Sequence, residues 1–194
     1  MIAFLNGNFV RKTPALVYVE VNGIGYEAHI SLNTYTHIAN LEKGILYTYF
    51  HVREDAQILY GFFDEAEKEM FIHLLSVSGV GASTARMMLS AMKPVEIARN
   101  IIQGNTKVLE TIKGIGKKSA ERIILELKDK LSKTALDSNN APLINNTLEQ
   151  DALNALITLG INRAAGEQAI LKVRKAEPDL LQIEEIIKKA LKTL

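Results

Sequence analysis

The sequence contains no cysteine, which excludes a disulfide framework and any thiolate metal site and fits a reducing compartment. It has no apolar run near the ~20 residues that a bilayer span needs. Its first residues, MIAFLNGNFVRK, lack the basic-then-apolar layout of a secretion signal, so a cytoplasmic protein is expected. An excess of one charge is missing too. The net charge is +1, which argues neither for nor against a polyanionic partner. The four histidines, His29, His37, His51 and His73, stand at no metal-ligand spacing and are expected on strand or helix surfaces. Neither a cofactor nor a bound metal is expected.

What is present suffices for a core: 194 residues, 47% of them hydrophobic, support one or two domains with a small third. Charge is unevenly spread. Residues 1–63 carry four cations against five acidic groups, residues 64–133 carry twelve against nine, and residues 134–194 carry seven against eight. A grip on nucleic acid belongs in the middle third.

The expected architecture is multidomain α+β in four parts. Residues 1–63 read as strands. In PALVYVEVNGIGYEAHISL, Leu16, Tyr18 and Glu20 alternate with Val17, Val19 and Val21; the run breaks at Asn22-Gly23 and resumes through Tyr26, Ala28 and Ile30, a hairpin signature. GILYTYFHVREDAQILYGF repeats the form, with runs Ile45 to Val52 and Gln57 to Phe62 flanking the polar REDA. About five short strands in this length suggest a small closed barrel of the oligonucleotide-binding (OB) type, a fold that also serves roles unrelated to nucleic acid. Residues 64–132 turn helical. Residues 133–148, rich in Ser, Asn and Thr, read as a flexible linker. Residues 149–194 return to helical spacing, with Gly160 and Pro178 dividing about three short helices. So small a bundle is marginal in stability, and its exposed apolar residues suit a protein partner.

The helical part contains a repeat at an offset of 35 residues. LLSVSGVGASTARMML aligns with LETIKGIGKKSAERII, pairing Leu74 with Leu109, Val77 with Ile112, Gly79 with Gly114, Val80 with Ile115, Gly81 with Gly116, Ala85 with Ala120, Met88 with Ile123 and Leu89 with Ile124. The spelling GIGKKS approaches the end of a nucleotide-binding P-loop, but that loop needs a glycine five residues before Gly116 and a hydroxyl directly after the lysine. Here those positions hold Thr111 and Lys118, so no ATPase site is read. A helix-hairpin-helix turn fits instead. Each glycine allows a positive φ or a close approach that a β-carbon would obstruct, and the aliphatic residue between them packs inward. The first amides of the following helix are then left at the positive end of its dipole, where a phosphate oxygen binds. Lys117 and Lys118 add charge directly after the second pair of glycines, and Arg122 follows one turn on. Such contacts grip backbone and ignore base sequence. Two such turns related by a pseudo-twofold suit both strands of a duplex across a minor groove.

Taken in order, MIAFLNG, VNGIGYEAHI, HVREDAQILYGF, SGVGASTA and KGIGKKSAERIILELKDKL, with the polar linker and helical tail, resemble the RuvA family, bacterial subunits that recognise Holliday junctions. The resemblance runs the length of the chain. It implies an OB-like barrel, a double helix-hairpin-helix domain, a linker and a three-helix tail. It also implies a non-catalytic protein that binds the junction as a homotetramer, or as an octamer of two facing tetramers, and holds it open and square. Such a subunit recruits the RuvB ATPase motor for branch migration, with the RuvC resolvase a further partner, in recombination, DNA repair and the SOS response to DNA damage. On this resemblance phosphate is held at Gly79, Val80, Gly81, Ser83 and Thr84 in the first turn, and at Gly114, Ile115, Gly116, Lys117, Lys118 and Arg122 in the second. Glu54 and Asp55 become an acidic pin at the junction centre, where the residues alone read as a solvated hairpin tip. Leu156, Leu159, Ile161 and Leu191 match apolar positions that contact RuvB, or else form the bundle's core. One departure stands out: the family's first turn commonly carries a proline and a basic residue where this chain has Ala82 and Ser83, so the second turn is expected to contribute more to affinity.

Two enzymatic alternatives remain beside this reading. A structure-specific nuclease would hold a metal through Glu54 and Asp55, although neighbours on a strand point to opposite faces and no third carboxylate accompanies them. A glycosylase would place an Asp after the hairpin in a Gly/Pro-Asp context, whereas Asp129 lies within LKDKL, a mid-helix setting.

Overall fold

A computed structural model of the protein describes residues 1–139, 148–177 and 182–193. The chain divides into two compact units, Met1–Leu136 and Asp137–Leu194.

In the first unit, strands β1 (Phe4–Lys12), β2 (Leu16–Val21), β3 (Ile24–Ile30), β4 (Lys43–Val52) and β5 (Gln57–Phe62) close a barrel in the order β1-β2-β3-β5-β4. The expected turn joins β2 to β3: Asn22 and Gly23 both take positive φ, 49° and 84°, the pair that a two-residue hairpin following the strands' twist demands. Alternation then sorts the faces. Val17, Val19, Ala28, Ile30 and Leu46 fill the barrel, joined by Leu5 and Phe9 of β1 and by Ile38 of α1 (Leu32–Ile38). Closure comes from a short parallel pairing of β3 with β5, at His29 with Tyr60 and Ile30 with Gly61.

β5 is buried on both faces. Leu59 turns into the barrel, while Tyr60 and Phe62 turn outward and pack under the helices. These helices are α2 (Glu65–Leu75), α3 (Ala82–Ala91), α4 (Pro94–Gln103), α5 (Thr106–Glu110) and α6 (Lys117–Asn139). The boundary read at residues 63 and 64 therefore falls at a helix cap, Asp64, whose Oδ1 accepts from the Glu67 amide at 2.7 Å. The barrel and the helices share a core across it.

Polar contacts reinforce that seam. Glu67 is fully buried, and its carboxylate accepts from the Ser31 hydroxyl and, at 2.6 Å, from Thr34 Oγ1. Those hydroxyls in turn accept from the amides of Thr34 and Phe63, which commits their own protons to Glu67. A buried carboxylate supplied with two donors is tolerable where a bare one is not. Burial, the largest influence, still holds its pKa above the ordinary carboxylate value, against those hydroxyl donors. From α3, Arg86 Nη1 donates to the Ala15 carbonyl at 3.1 Å, and Ser90 Oγ accepts from the Leu32 amide at 3.0 Å.

The linker reading needs correction at its start. α6 runs on to Asn139, because residues 133–139 contain neither the glycine nor the proline that would stop it. Residues 140–147 and Pro178 lie outside the described residues. In the second unit, α7 (Leu148–Thr158), α8 (Arg163–Ala176) and α9 (Ile183–Thr193) surround a core of Ala152, Leu153, Leu156, Ala169, Ile170, Val173, Ile186 and Ala190. Arg174 Nε lies 2.7 Å from Glu149 Oε1 across α8 and α7. No described helix is long and apolar enough to cross a membrane.

Candidate nucleic-acid interface

The two glycine turns have one backbone design. In the first, joining α2 to α3, the amides of Ser76, Val77, Val80 and Ala85 bond to the carbonyls of Ile72, Leu74, Val77 and Gly81. In the second, joining α5 to α6, the amides of Ile112, Ile115 and Ala120 bond to Leu109, Ile112 and Gly116, each 35 residues after its counterpart. The first glycine of each turn takes a left-handed φ, 88° at Gly79 and 94° at Gly114, which a side chain would strain. Val80 and Ile115 lie buried between the glycines and Val77 and Ile112 beneath them, so the aliphatic residue does pack inward as its position predicts.

The second glycine of each turn differs. Gly81 has φ −85°, and a β-carbon at Gly81 or Gly116 would meet nothing of the protein within 4 Å. No internal contact requires glycine there; a ligand approaching from outside would. Gly81 is also the N-cap of α3 and makes no side-chain cap bond, and Gly116, which precedes α6, has no side chain to cap with. The helix-starting amides thus remain available, at the positive ends of the helix dipoles.

Between the turns lies a groove of about 400 Å³ lined by Ser78, Gly79, Lys118, Ser119, Glu121 and Arg122. It brings the first turn's Gly79 together with Lys118 and Arg122 of the second. Lys117 and Lys118 are exposed, the former 4.0 Å from Glu121 Oε1 one turn along, a surface pair worth little. Arg122 Nε stands 3.5 Å from Glu126 Oε1, while its Nη1 reaches Ser78, at 3.3 Å from the carbonyl and 3.4 Å from Oγ. In the first turn Ser83 is exposed and Thr84 half-buried. Sequence reading missed Ser78 and Ser119. Their signal was the repeat itself, which places Ser78 opposite Lys113 and Ser119 opposite Thr84.

Glu54 and Asp55 are exposed in the loop between β4 and β5 and do not line that groove. The loop is closed by the Arg53 amide bonding to the Ala56 carbonyl at 2.8 Å, and Arg53 Nε bonds to His51 Nε2 at 2.8 Å. Among the described residues no group of three or more His, Asp or Glu side chains gathers into a metal-binding cluster. His29 and His51 sit half-buried on strands beside Tyr60. Burial first, then Arg86, lowers the His29 pKa. Asp129 lies within α6.

In the tail the four leucine and isoleucine positions part company. Leu156 is fully buried in the bundle and forms part of its core. Ile161 is half-buried against that core. Leu159, 62% exposed, and Leu191, 42% exposed, face solvent, as does Leu171, 60% exposed, which sequence reading passed over.

Comparison with known proteins covers nearly the whole chain. Residues 1–61 match the family model described as the RuvA N terminal domain, residues 71–129 that of the SAM-like helix-hairpin-helix tandem, and residues 147–194 that of the RuvA C-terminal domain. Among curated proteins, the chain is similar to one from Christiangramia forsetii, 44% identical over 194 residues and all of both chains. One from Cytophaga hutchinsonii is 42% identical over 197 residues, 99% of each chain, and one from Bacteroides fragilis 42% over 202 residues, all of both. Each is named as the Holliday junction branch migration complex subunit RuvA.

Proposed function

The chain belongs to the RuvA family, and from that premise we propose that it binds four-way DNA junctions through their phosphates, holds them open and square, and recruits the RuvB motor that drives branch migration. The observation that carries the reading is the pair of matched turns beside a groove lined by the first turn and the start of α6, with its cations on the α6 side. Backbone amides and lysines recognise phosphate and ignore bases, as a protein acting on junctions of any sequence requires.

A junction has four arms, so four copies of the chain, each gripping one arm's backbone, form the assembly the DNA demands, with two such tetramers enclosing it as the octamer. Glu54 and Asp55 then meet around the fourfold axis. Carboxylates there repel the phosphates of converging strands, which keeps the arms apart and guides strands as they exchange partners. The chain contributes no chemistry; ATP hydrolysis belongs to RuvB, and strand cleavage to a separate resolvase such as RuvC. Phosphate contacts come from Gly79, Val80, Gly81, Ser83 and Thr84, and from Gly114, Ile115, Gly116, Lys117, Lys118 and Arg122. Leu159, Leu191 and part of Ile161 offer the tail's apolar contact for the motor in the cytoplasm.

Energy transfer between dyes on adjacent arm ends tests the reading. Adding the protein in magnesium should convert a stacked junction to one with equal distances between neighbouring arms; an unchanged stacked pattern would contradict it. The strands should stay intact in the same mixture. Removing residues 134–194 should abolish stimulation of the motor and leave junction binding in place.

A further inference from the structure

The repeat exposes a charge deficit. At the offset of 35, Lys113, Lys117, Lys118 and Arg122 of the second hairpin stand opposite Ser78, Ala82, Ser83 and Met87 of the first. Each of these four cations, at or near the second turn, has an uncharged counterpart. Arg86, on the first hairpin's own helix α3, bonds to the barrel at Ala15 and lies 3.4 Å from His29 Nδ1, so it faces away from this task. A first turn with free helix amides and no cation holds phosphate only through neutral hydrogen bonds, roughly half the strength of charge-assisted ones.

Arg122 crosses the gap. It projects from α6, yet its Nη1 contacts the carbonyl and the hydroxyl of Ser78, the residue next to Gly79. A guanidinium is a planar fork with five donors. Here Nη1 is turned to the first turn and Nε to Glu126, which leaves the Nη2 edge for a phosphate oxygen in the groove lined by the first turn and the start of α6. No side chain of the first hairpin makes the reverse crossing to the second turn among the described contacts.

We infer that Arg122 is shared between the two turns: the first turn holds it in place, and it supplies the positive charge that the first turn lacks. This inference rests on the proposed junction binding and deepens it, assigning to one residue of the second hairpin the charge of both. The phosphates at the two turns are therefore coupled, and neither turn's contribution is independent of Arg122.

Four proteins test it: the wild-type chain, Arg122→Gln, Ser83→Lys, and the double variant. Junction affinity is measured for each across a salt series, with thermal melts confirming that all are folded; both positions are exposed. Arg122→Gln should lower affinity about tenfold or more and reduce the salt slope by more than the ~0.9 of one phosphate contact. A lysine at position 83 should then recover much of that loss, raising affinity at least about fivefold more in the Arg122→Gln background than in the wild-type one, the non-additivity expected of coupled sites. Equal effects of Ser83→Lys in both backgrounds would overturn the sharing. A wild-type chain without preference for the junction would overturn the underlying reading and this inference with it, whereas additivity beside normal junction binding overturns the inference alone.

Discussion

The two hairpins share a backbone and divide the work. Three polar side chains of the first are spent on residues 1–63: Glu67 is locked to Ser31 and Thr34, Arg86 to Ala15, and Ser90 to Leu32. Those of the second face solvent, with Lys117, Lys118 and Arg122 all exposed. The positions of Arg86 and Glu121 make the contrast concrete, since the repeat superimposes an arginine that anchors a domain on a glutamate that lines a groove. A duplicated fold element thus keeps its geometry, which the bond pattern of the turn fixes, while its surface is free to specialise. One copy is tied to the barrel; the other leaves its cations exposed to solvent, where the proposed junction binding would use them.

The largest effect should come from neutralising the second copy. Lys117→Gln combined with Lys118→Gln should lower the salt slope of junction binding by about two and cost tenfold or more in affinity, because each lost phosphate contact accounts for ~0.9 of slope. A loss of affinity with an unchanged slope would break the division of labour. Next come the left-handed glycines. Gly79→Ala and Gly114→Ala should each destabilise the first unit by about 1–2 kcal/mol in thermal or denaturant unfolding, equally in both copies. Gly81→Ala and Gly116→Ala should change stability by no more than about 0.5 kcal/mol, since no part of the protein lies within 4 Å of a β-carbon there, and still weaken junction binding if phosphate approaches those positions as proposed.

A smaller effect is expected in the first turn. Ser83→Ala with Thr84→Ala should lower affinity by a few-fold, about 0.5–1.5 kcal/mol for each neutral hydrogen bond, and leave the salt slope intact. A fall in slope would mean that the first turn carries charge-dependent contacts of its own. The smallest effect concerns the anchor. With its pKa raised in the folded state, Glu67 binds its proton more tightly folded than unfolded. Its contribution therefore favours folding as pH falls from the folded-state value towards the ordinary one, and that contribution is lost as pH rises through the folded-state value. Glu67→Gln should flatten this shallow slope in unfolding measurements across mildly acidic pH; an unchanged slope would assign it to another group.

Much of this was legible from residues alone. The hairpin at Asn22-Gly23 and the doubled turn were readable because each depends on local chemistry: two residues of positive φ, or an aliphatic side chain between glycines. β1 was harder to delimit, because FLNGNFVRK interrupts its alternation with Asn6, Gly7 and Asn8 and depends on partners on both sides for its shape. The seven-residue α1 is too short for periodicity to reveal. Glu67, in the first turn of α2, reads in sequence as a solvated partner of the helix dipole; only the packing of the barrel against α2 buries it. Leu156 and Leu159 are three residues apart and equally apolar, and which of them faces the bundle is decided by where α8 and α9 lie. Arg122's contact with Ser78 spans 44 positions, beyond the reach of any local pattern.

Junction recognition is tested most directly by a competition between a labelled four-way junction and unlabelled linear duplex of the same sequences, read by gel shift over a range of salt. Duplex in large excess should fail to displace the junction, and binding should weaken steeply as salt rises. Displacement by equimolar duplex, at any salt where the complex forms, would contradict junction recognition.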